Sequence, residues 1–117
     1  MERNNDFHKD LKEFMDRYVH LVYDYSNKFP KDELYGVTSQ FRRSALSVIL
    51  NYIEGYSRNR KAVLKNFLEI SFGSLKESKY LCYFSYKRNY LTKLTYDELD
   101  DLNNKIGAML WGIIKKI

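Results

Sequence analysis

Apolar residues recur at every third or fourth position along most of the chain, and polar residues fill the positions between them. This spacing is typical of helices that bury one face. The first apolar face consists of Phe7, Leu11, Phe14, Tyr18, Val22 and Tyr25, and the last consists of Leu99, Leu102, Ile106, Met109, Ile113 and Ile117. The pattern predicts four helices, over about residues 5–27, 33–56, 59–90 and 96–116.

Short breaks separate these segments. Pro30 cannot continue the first helix, Asn59 is a candidate N-cap for the third, and the run Thr95-Tyr96-Asp97-Glu98 has the form of a capping box for the fourth. Helices joined by short connections pack as antiparallel neighbours. The sequence therefore predicts a single domain over residues 1–117 of the all-α class, an antiparallel up-down-up-down four-helix bundle.

The second helix has more apolar surface than one bundle core requires. Its core stripe consists of Leu34, Val37, Phe41, Ala45, Val48 and Tyr52. A second stripe consists of Leu46, Leu50 and Ile53, and a polar stripe containing Arg43, Asn51 and Glu54 runs beside it. Contiguous apolar patches left in water usually mark interfaces. We therefore expect a homo-oligomer interface at Leu46, Leu50, Ile53, Asn51 and Glu54, with simple solvation of the polar residues as the alternative.

Positive charge is concentrated in one part of the chain. The net charge is +5, but residues 58–94 alone hold nine Lys or Arg against two Glu, a net +7. Lysines at helical spacing share a face with Phe72 and Tyr83 in this segment. Cations neutralise phosphates and rings stack on unpaired bases, so the segment is a candidate site for structured RNA or DNA. The candidate residues are Arg58, Arg60, Lys61, Lys65 and Lys76, with Arg42 and Arg43 as weaker candidates; the alternative is a solvated, lysine-rich helix.

Other functional classes find little support. His8 and His20 do not follow a Glu at the spacing of di-iron bundle ligands, so no metal or cofactor is expected. Cys82 is the only cysteine and is read as a small buried residue, while Trp111 and the tyrosines are read as core and interface anchors. No catalytic constellation, secretion signal or membrane-length apolar run is present, so the expectation is a cytoplasmic protein that is not an enzyme.

Several spaced motifs carry a resemblance to a known family. They are Phe29-Pro30, Leu34-Tyr35-Gly36 through Gln40, Arg42-Arg43, Asn51 through Gly55, Arg58 to Lys61, and Phe67 to Glu77. In this order they resemble the four-helix bundle proteins encoded by intervening sequences of bacterial 23S ribosomal RNA genes. Leu50 stands where many relatives carry Pro, so an unbroken helix is expected there.

The resemblance implies a cyclic homo-oligomer, a pentamer. The same fold is similar to the basic pentameric accessory protein of diversity-generating retroelements, which associates with reverse transcriptase and nucleic acid. Two roles follow as hypotheses. The first is a non-catalytic, RNA-binding accessory protein, and the alternative is a protein-interaction scaffold such as a reverse-transcriptase accessory subunit.

Overall fold

The computed structural model describes the backbone of residues 2–117 and the side chains of residues 6–117. Four long helices and short helical turns make up this part of the chain, and it contains no strand. The helices are α1 (Glu2–Ser26), α2 (Ser39–Tyr56), α3 (Lys61–Lys87) and α4 (Lys93–Ile114). A 3₁₀ turn (Lys31–Glu33) and a π-helical turn (Leu34–Thr38) precede α2.

Each helix packs against two others, so the four enclose one core. α1 contacts α2 and α4, and α3 contacts the same two helices. The fully buried large side chains include Leu11, Tyr18, Phe41, Tyr52, Leu68, Leu75, Leu99 and Ile106. Burying one large apolar side chain contributes roughly 1.5–3 kcal/mol. The apolar periodicity of the sequence therefore becomes the energetic basis of an all-α bundle.

A small polar network lies inside this core. The hydroxyl of Tyr18 forms a hydrogen bond of 2.6 Å with Ser78 Oγ. Asn103 Nδ2 donates both to Tyr18 Oη and to the carbonyl of Leu75, at 3.1 Å each. The network joins α1, α3 and α4, and pairing offsets the cost of burying its polar groups. Burial raises the pKa of Tyr18, so the phenol stays protonated.

α2 and α3 lie close together at the end where they are connected. A Cβ atom added to Gly55 would lie 3.0 Å from Phe67 Cβ and 3.2 Å from Leu64 Cδ1. Further along the pair, Ser71 Oγ donates to the carbonyl of Val48 at 2.6 Å. Small residues at these positions let the two backbones lie close together. Along its length α2 is continuous through Leu50.

The segment before α2 is less regular than the sequence predicts. Gly36 has φ −112° and ψ −112° and kinks the chain inside the π-helical turn. Glu33 Oε1 accepts a hydrogen bond from the Val37 amide at 3.4 Å, and Glu33 Oε2 accepts one from the Tyr90 hydroxyl at 2.8 Å. The kink turns Leu34, which the sequence assigns to the core stripe, into the solvent at 47 % exposure. That assignment is wrong.

Two helix starts also differ from the sequence prediction. Arg60, not Asn59, occupies the N-cap position of α3, and its side chain makes no capping hydrogen bond. α4 begins at Lys93, since Thr92 Oγ1 accepts a hydrogen bond from the Thr95 amide at 3.1 Å. The capping-box interpretation of residues 95–98 is therefore wrong by three residues.

The end of α3 is closed by a left-handed residue, Asn89, with φ 65°. The amide of Tyr90 donates to the carbonyl of Ser85 at 2.8 Å, and the amide of Asn89 donates to Tyr86 at 2.9 Å. This pair of hydrogen bonds is a Schellman motif, which satisfies the last carbonyls of a helix. It ends α3 at Lys87, three residues before the predicted end.

Other residues singled out in the sequence take clear positions. Cys82 is buried, and burial raises the pKa of its thiol to about 12. Trp111 is 51 % exposed and packs against Phe72, with 5.6 Å between ring centroids, so it is not a core residue. No helix in the described part of the chain is both long enough and apolar enough to cross a membrane.

Candidate nucleic-acid interface

Four cations lie together where α2 passes into α3. Arg58, Arg60, Lys61 and Lys65, called here the basic end, all have exposed side chains. Within the described residues one carboxylate pairs with them, that of Glu54, whose Oε2 lies 3.4 Å from Arg58 Nε. The first amides of α3 have no side-chain cap, and free helix N-terminal amides favour anions. The basic end is therefore a surface of weakly compensated positive charge.

An aromatic ring lies beside these cations. The guanidinium carbon of Arg58 is 5.5 Å from the centroid of the Phe67 ring. Planar guanidinium and aromatic groups of this kind both stack on unpaired bases.

Two other lysines of the predicted face, Lys76 and Lys79, have different surroundings. Lys76 is exposed, and its ammonium lies 5.1 Å from the centroid of the Phe72 ring. Lys79, on the same face, is bound by Asp100 Oδ1 at 2.8 Å and by Asn104 Oδ1 at 2.6 Å. Lys76 follows Lys61 by fifteen residues, which is about 22 Å along a helix. It therefore belongs to a separate part of the surface.

Arg42 and Arg43 lie at the opposite end of α2 from the basic end. Arg42 Nε donates to Ser26 Oγ at 2.7 Å, and Arg42 Nη2 donates to Asn27 Oδ1 at 2.9 Å. These bonds tie the start of α2 to the end of α1. Arg43 is exposed and makes no ion pair with a described residue. The seven sequence-predicted cations thus fall into three places on one chain.

The second apolar stripe of α2 is not covered by the chain itself. The side chains of Leu46, Leu50 and Ile53 are 37 %, 53 % and 50 % exposed. Among single apolar residues such exposure is common, but three on consecutive turns of one helix form a patch.

The two polar residues predicted beside this stripe have partners within the chain. Asn51 Nδ2 donates to Ser47 Oγ at 2.8 Å, and Ser47 Oγ forms a hydrogen bond of 2.8 Å with Ser74 Oγ of α3. Glu54 is exposed and accepts a hydrogen bond from the Ser57 hydroxyl at 3.0 Å. Asn51 therefore lies at the contact between α2 and α3, whereas Glu54 is bonded within its own turn.

Sequence reasoning missed a cavity of about 660 Å³ at the end of the bundle where α1 begins and α4 ends. Phe7, Met109 and Ile113 line it, together with His8. The His8 ring forms a hydrogen bond with the Tyr52 hydroxyl, and burial, aided by the charge of Lys12, lowers the pKa of His8. The only indication of this pocket in the sequence was the position of His8 between Phe7 and Leu11, two residues of the apolar face of the first helix.

Metal-binding side chains do not converge within the described residues. No three His, Cys, Asp or Glu side chains there come close enough to hold a metal ion.

Comparison with known proteins identifies the fold and the family of the chain. A crystal structure of a protein of unknown function from the S23 ribosomal protein family of Bacteroides thetaiotaomicron superposes with a TM-score of 0.82 at 21 % identity. The match covers 92 % of this chain and 96 % of that one, which establishes a shared fold. No curated protein sequence matches the chain. The family model of the 23S rRNA-intervening sequence protein matches residues 10–112, so the chain belongs to that family.

Proposed function

We propose that the protein is a non-catalytic, RNA-binding accessory protein of the cytoplasm, built as an antiparallel bundle and acting as a cyclic pentamer. One observation carries the RNA-binding part: the basic end presents four exposed cations, of which only Arg58 pairs with a described carboxylate, that of Glu54. Residues 58–65 hold these four cations and no Asp or Glu, so no acid alternates with them along this part of the chain. The nearly neutral flanks on either side of residues 58–94 support the same interpretation.

The chemistry of the basic end favours the phosphate backbone over the bases. Lysine and arginine that neutralise phosphates release condensed counterions, and this provides affinity without reading sequence. The side chains available for base contact are a ring and a guanidinium, which accept any base as a stacking partner. We therefore expect a preference for structured or single-stranded RNA over a defined sequence.

The exposed stripe of Leu46, Leu50 and Ile53 supports self-association. Covering an apolar stripe with a second copy removes it from water and contributes roughly 25 cal/mol per Å² of area. The resemblance supplies the subunit number. A ring of five copies would multiply the cations of the basic end, so that weak contacts act together.

RNA binding is tested by an electrophoretic mobility shift with a structured fragment of 23S rRNA, at about 50 mM and about 200 mM salt. The proposal expects a shift at low salt that weakens strongly at the higher concentration. If no shift occurs even at low salt, the protein does not bind RNA and the proposal is wrong.

Self-association is tested by the double variant Leu46→Asp/Ile53→Asp, with the mass measured by light scattering. A charge on each turn of the stripe should dissociate the assembly. Leu94→Asp is the matched control, since Leu94 is 80 % exposed outside the stripe and its replacement should leave the mass unchanged. If the double variant keeps the wild-type mass, the stripe is not the interface.

A protein-interaction scaffold is the second candidate, and the same exposed stripe favours it. A protein partner such as a reverse transcriptase could cover Leu46, Leu50 and Ile53 in place of a second copy. This role predicts a partner that stays bound in pull-downs after nuclease treatment and is lost with Leu46→Asp/Ile53→Asp. Loss of the partner on nuclease treatment alone would favour the RNA-binding role.

A further inference from the structure

A second pocket, of about 360 Å³, opens at the start of α2, at the opposite end of this helix from the basic end. Tyr23, Tyr35, Thr38, Arg42 and Arg43 contribute to its walls. Arg43 precedes Arg58 by fifteen residues, about 22 Å along a helix. The pocket is thus spatially separate from the surface to which RNA binding is assigned above.

One residue of the pocket wall, Thr38, has a buried hydroxyl without a partner. Thr38 is 3 % exposed, and its Oγ1 is the one buried side-chain polar atom of the described residues that makes no hydrogen bond. In a regular helix a threonine hydroxyl can bond to a carbonyl three or four residues earlier. Here those residues lie in the kinked π-helical turn. A hydroxyl both donates and accepts, so Thr38 can form either kind of hydrogen bond with a ligand that reaches it.

Contacts from distant parts of the chain fix the shape of this wall. Glu33 caps the turn at the Val37 amide and is itself held by the Tyr90 hydroxyl. A Cβ atom at Gly36 would lie 2.9 Å from Glu33 Oε1, so a side chain there would displace the Glu33 carboxylate.

The rim of the pocket provides rings and cations. Tyr35 is 93 % exposed, the highest value among the exposed large apolar side chains of the described residues. The guanidinium of Arg42 lies over the Tyr23 ring, 4.9 Å from its centroid, and its Nη1 makes no hydrogen bond with a described residue. Arg43 adds a second guanidinium without an ion pair. An exposed ring beside two guanidinium groups suits a ligand that has both a planar ring and an anion.

We propose that this pocket binds one unpaired nucleotide, with its base stacked on Tyr35 and its phosphate at Arg42 and Arg43. Binding opens the wall at Thr38, so that a polar atom of the nucleotide reaches its hydroxyl, which has no hydrogen-bond partner in the free chain. The inference goes beyond the proposed function, because it assigns a separate site and a ligand chemistry to the start of α2. A second copy of the chain fits less well, since its net charge of +5 would meet two guanidinium groups.

The binding test uses nuclear magnetic resonance titrations of the full chain with uridine 5′-monophosphate, uridine and ribose 5-phosphate. The shifts produced by the monophosphate should be centred on Thr38 and Tyr35. Because the base and the phosphate each contribute, uridine and ribose 5-phosphate should bind at least about ten-fold more weakly than the monophosphate. Shifts centred on residues 58–65, or equal binding of all three compounds, would overturn the proposal.

Two variants with matched properties sharpen the test. Tyr35→Ala should weaken binding of the monophosphate about ten-fold, because it removes the stacking platform, while Tyr35→Phe should bind as the wild type does. Thr38→Val should weaken binding a few-fold and unfold at the same or a higher temperature, since it removes an unpaired buried hydroxyl. If Tyr35→Ala binds the monophosphate as tightly as the wild type does, the proposal is contradicted. This holds whether or not the variant changes the mass of the assembly in solution.

The proposed function and this inference can be disproved independently of each other. Arg60→Glu/Lys61→Glu should lose long RNA yet bind uridine 5′-monophosphate normally. If wild-type protein binds the monophosphate but shifts no structured RNA, the proposed function is wrong and this inference holds. If it shifts RNA while Tyr35→Ala and Thr38→Val bind the monophosphate as the wild type does, this inference is wrong and the proposed function holds.

Discussion

Cations occur both at the contact between α3 and α4 and at the connection between α2 and α3. The two places differ in whether a carboxylate lies beside the cation. At the α3–α4 contact, Lys79 lies 2.8 Å from Asp100, and at the start of α4 Lys93 lies 2.7 Å from Asp97. At the basic end, Arg60, Lys61 and Lys65 have no described carboxylate within 4 Å. Lys79 and Lys93 therefore have carboxylate partners within the chain. The three unpaired cations of the basic end remain free to contact solvent or a ligand.

This difference separates structural from functional charge. An ion pair on or near the surface contributes about 0–1 kcal/mol to stability, and its two charges cancel at a distance. A cluster of like charges without acids does not stabilise the fold, because the charges repel one another, but it raises the local potential and attracts anions. The presence of a neighbouring acid, more than the residue type, therefore indicates which lysines serve the fold.

Reversing the unpaired charges should have the largest effect. Arg60→Glu/Lys61→Glu replaces two phosphate contacts by repulsion and should weaken RNA binding about 100-fold or more at low salt, measured by fluorescence anisotropy. Lys9→Glu/Lys105→Glu makes the same change in net charge at two exposed positions outside the basic end. Equal losses from both double variants would show that net charge alone matters.

Removing one paired and one unpaired lysine should affect two different properties. Lys65→Gln should weaken RNA binding about three- to five-fold and leave the free energy of unfolding unchanged. Lys79→Gln should lower the free energy of unfolding by about 0.5–1 kcal/mol, because Asp100 loses its partner, and leave RNA binding unchanged. Denaturant unfolding and anisotropy measure the two properties. The comparison fails if Lys79→Gln weakens RNA binding as much as Lys65→Gln does.

Releasing the paired lysine should have a smaller effect in the opposite direction. Asp100→Asn removes the acid that holds Lys79 and should strengthen RNA binding about two-fold, since one more free cation lies on the face of α3. Asp101→Asn is the control, because Asp101 is exposed and forms no ion pair with a described residue. A gain of the same size in both variants would reflect net charge and not the release of Lys79.

The smallest effect concerns pH and His8. Its pKa in the folded chain lies below the ordinary value of 6.5, so below this value the unfolded chain binds more protons than the folded chain. The free energy of unfolding should therefore fall as the pH drops through and below about 6.5. His8→Leu should remove this part of the pH dependence, and His20→Leu, at an exposed position, should retain it. Equal pH dependence in wild-type and His8→Leu protein would exclude His8 as its source.

The sequence was sufficient to predict the helices and the exposed stripe of α2, because both follow from periodicity within one segment. The partner of Lys79 could not be predicted, since Asp100 lies 21 positions away and meets it only through helix packing. The turn at Gly36 depends in the same way on Tyr90, which is 57 positions from Glu33. The capping-box pattern favoured Thr95 over Thr92, but it could not decide between them, because either hydroxyl can accept from the amide three residues later.

The salt dependence of RNA binding tests the central claim most directly. If the four cations of the basic end neutralise phosphates, log K should fall with log salt with a slope of about −3 for each subunit that contacts single-stranded RNA. Arg60→Glu/Lys61→Glu should reduce the magnitude of this slope by about 1.4, the share of two cations. A wild-type affinity that does not change with salt, or an unchanged slope in the variant, would contradict the account.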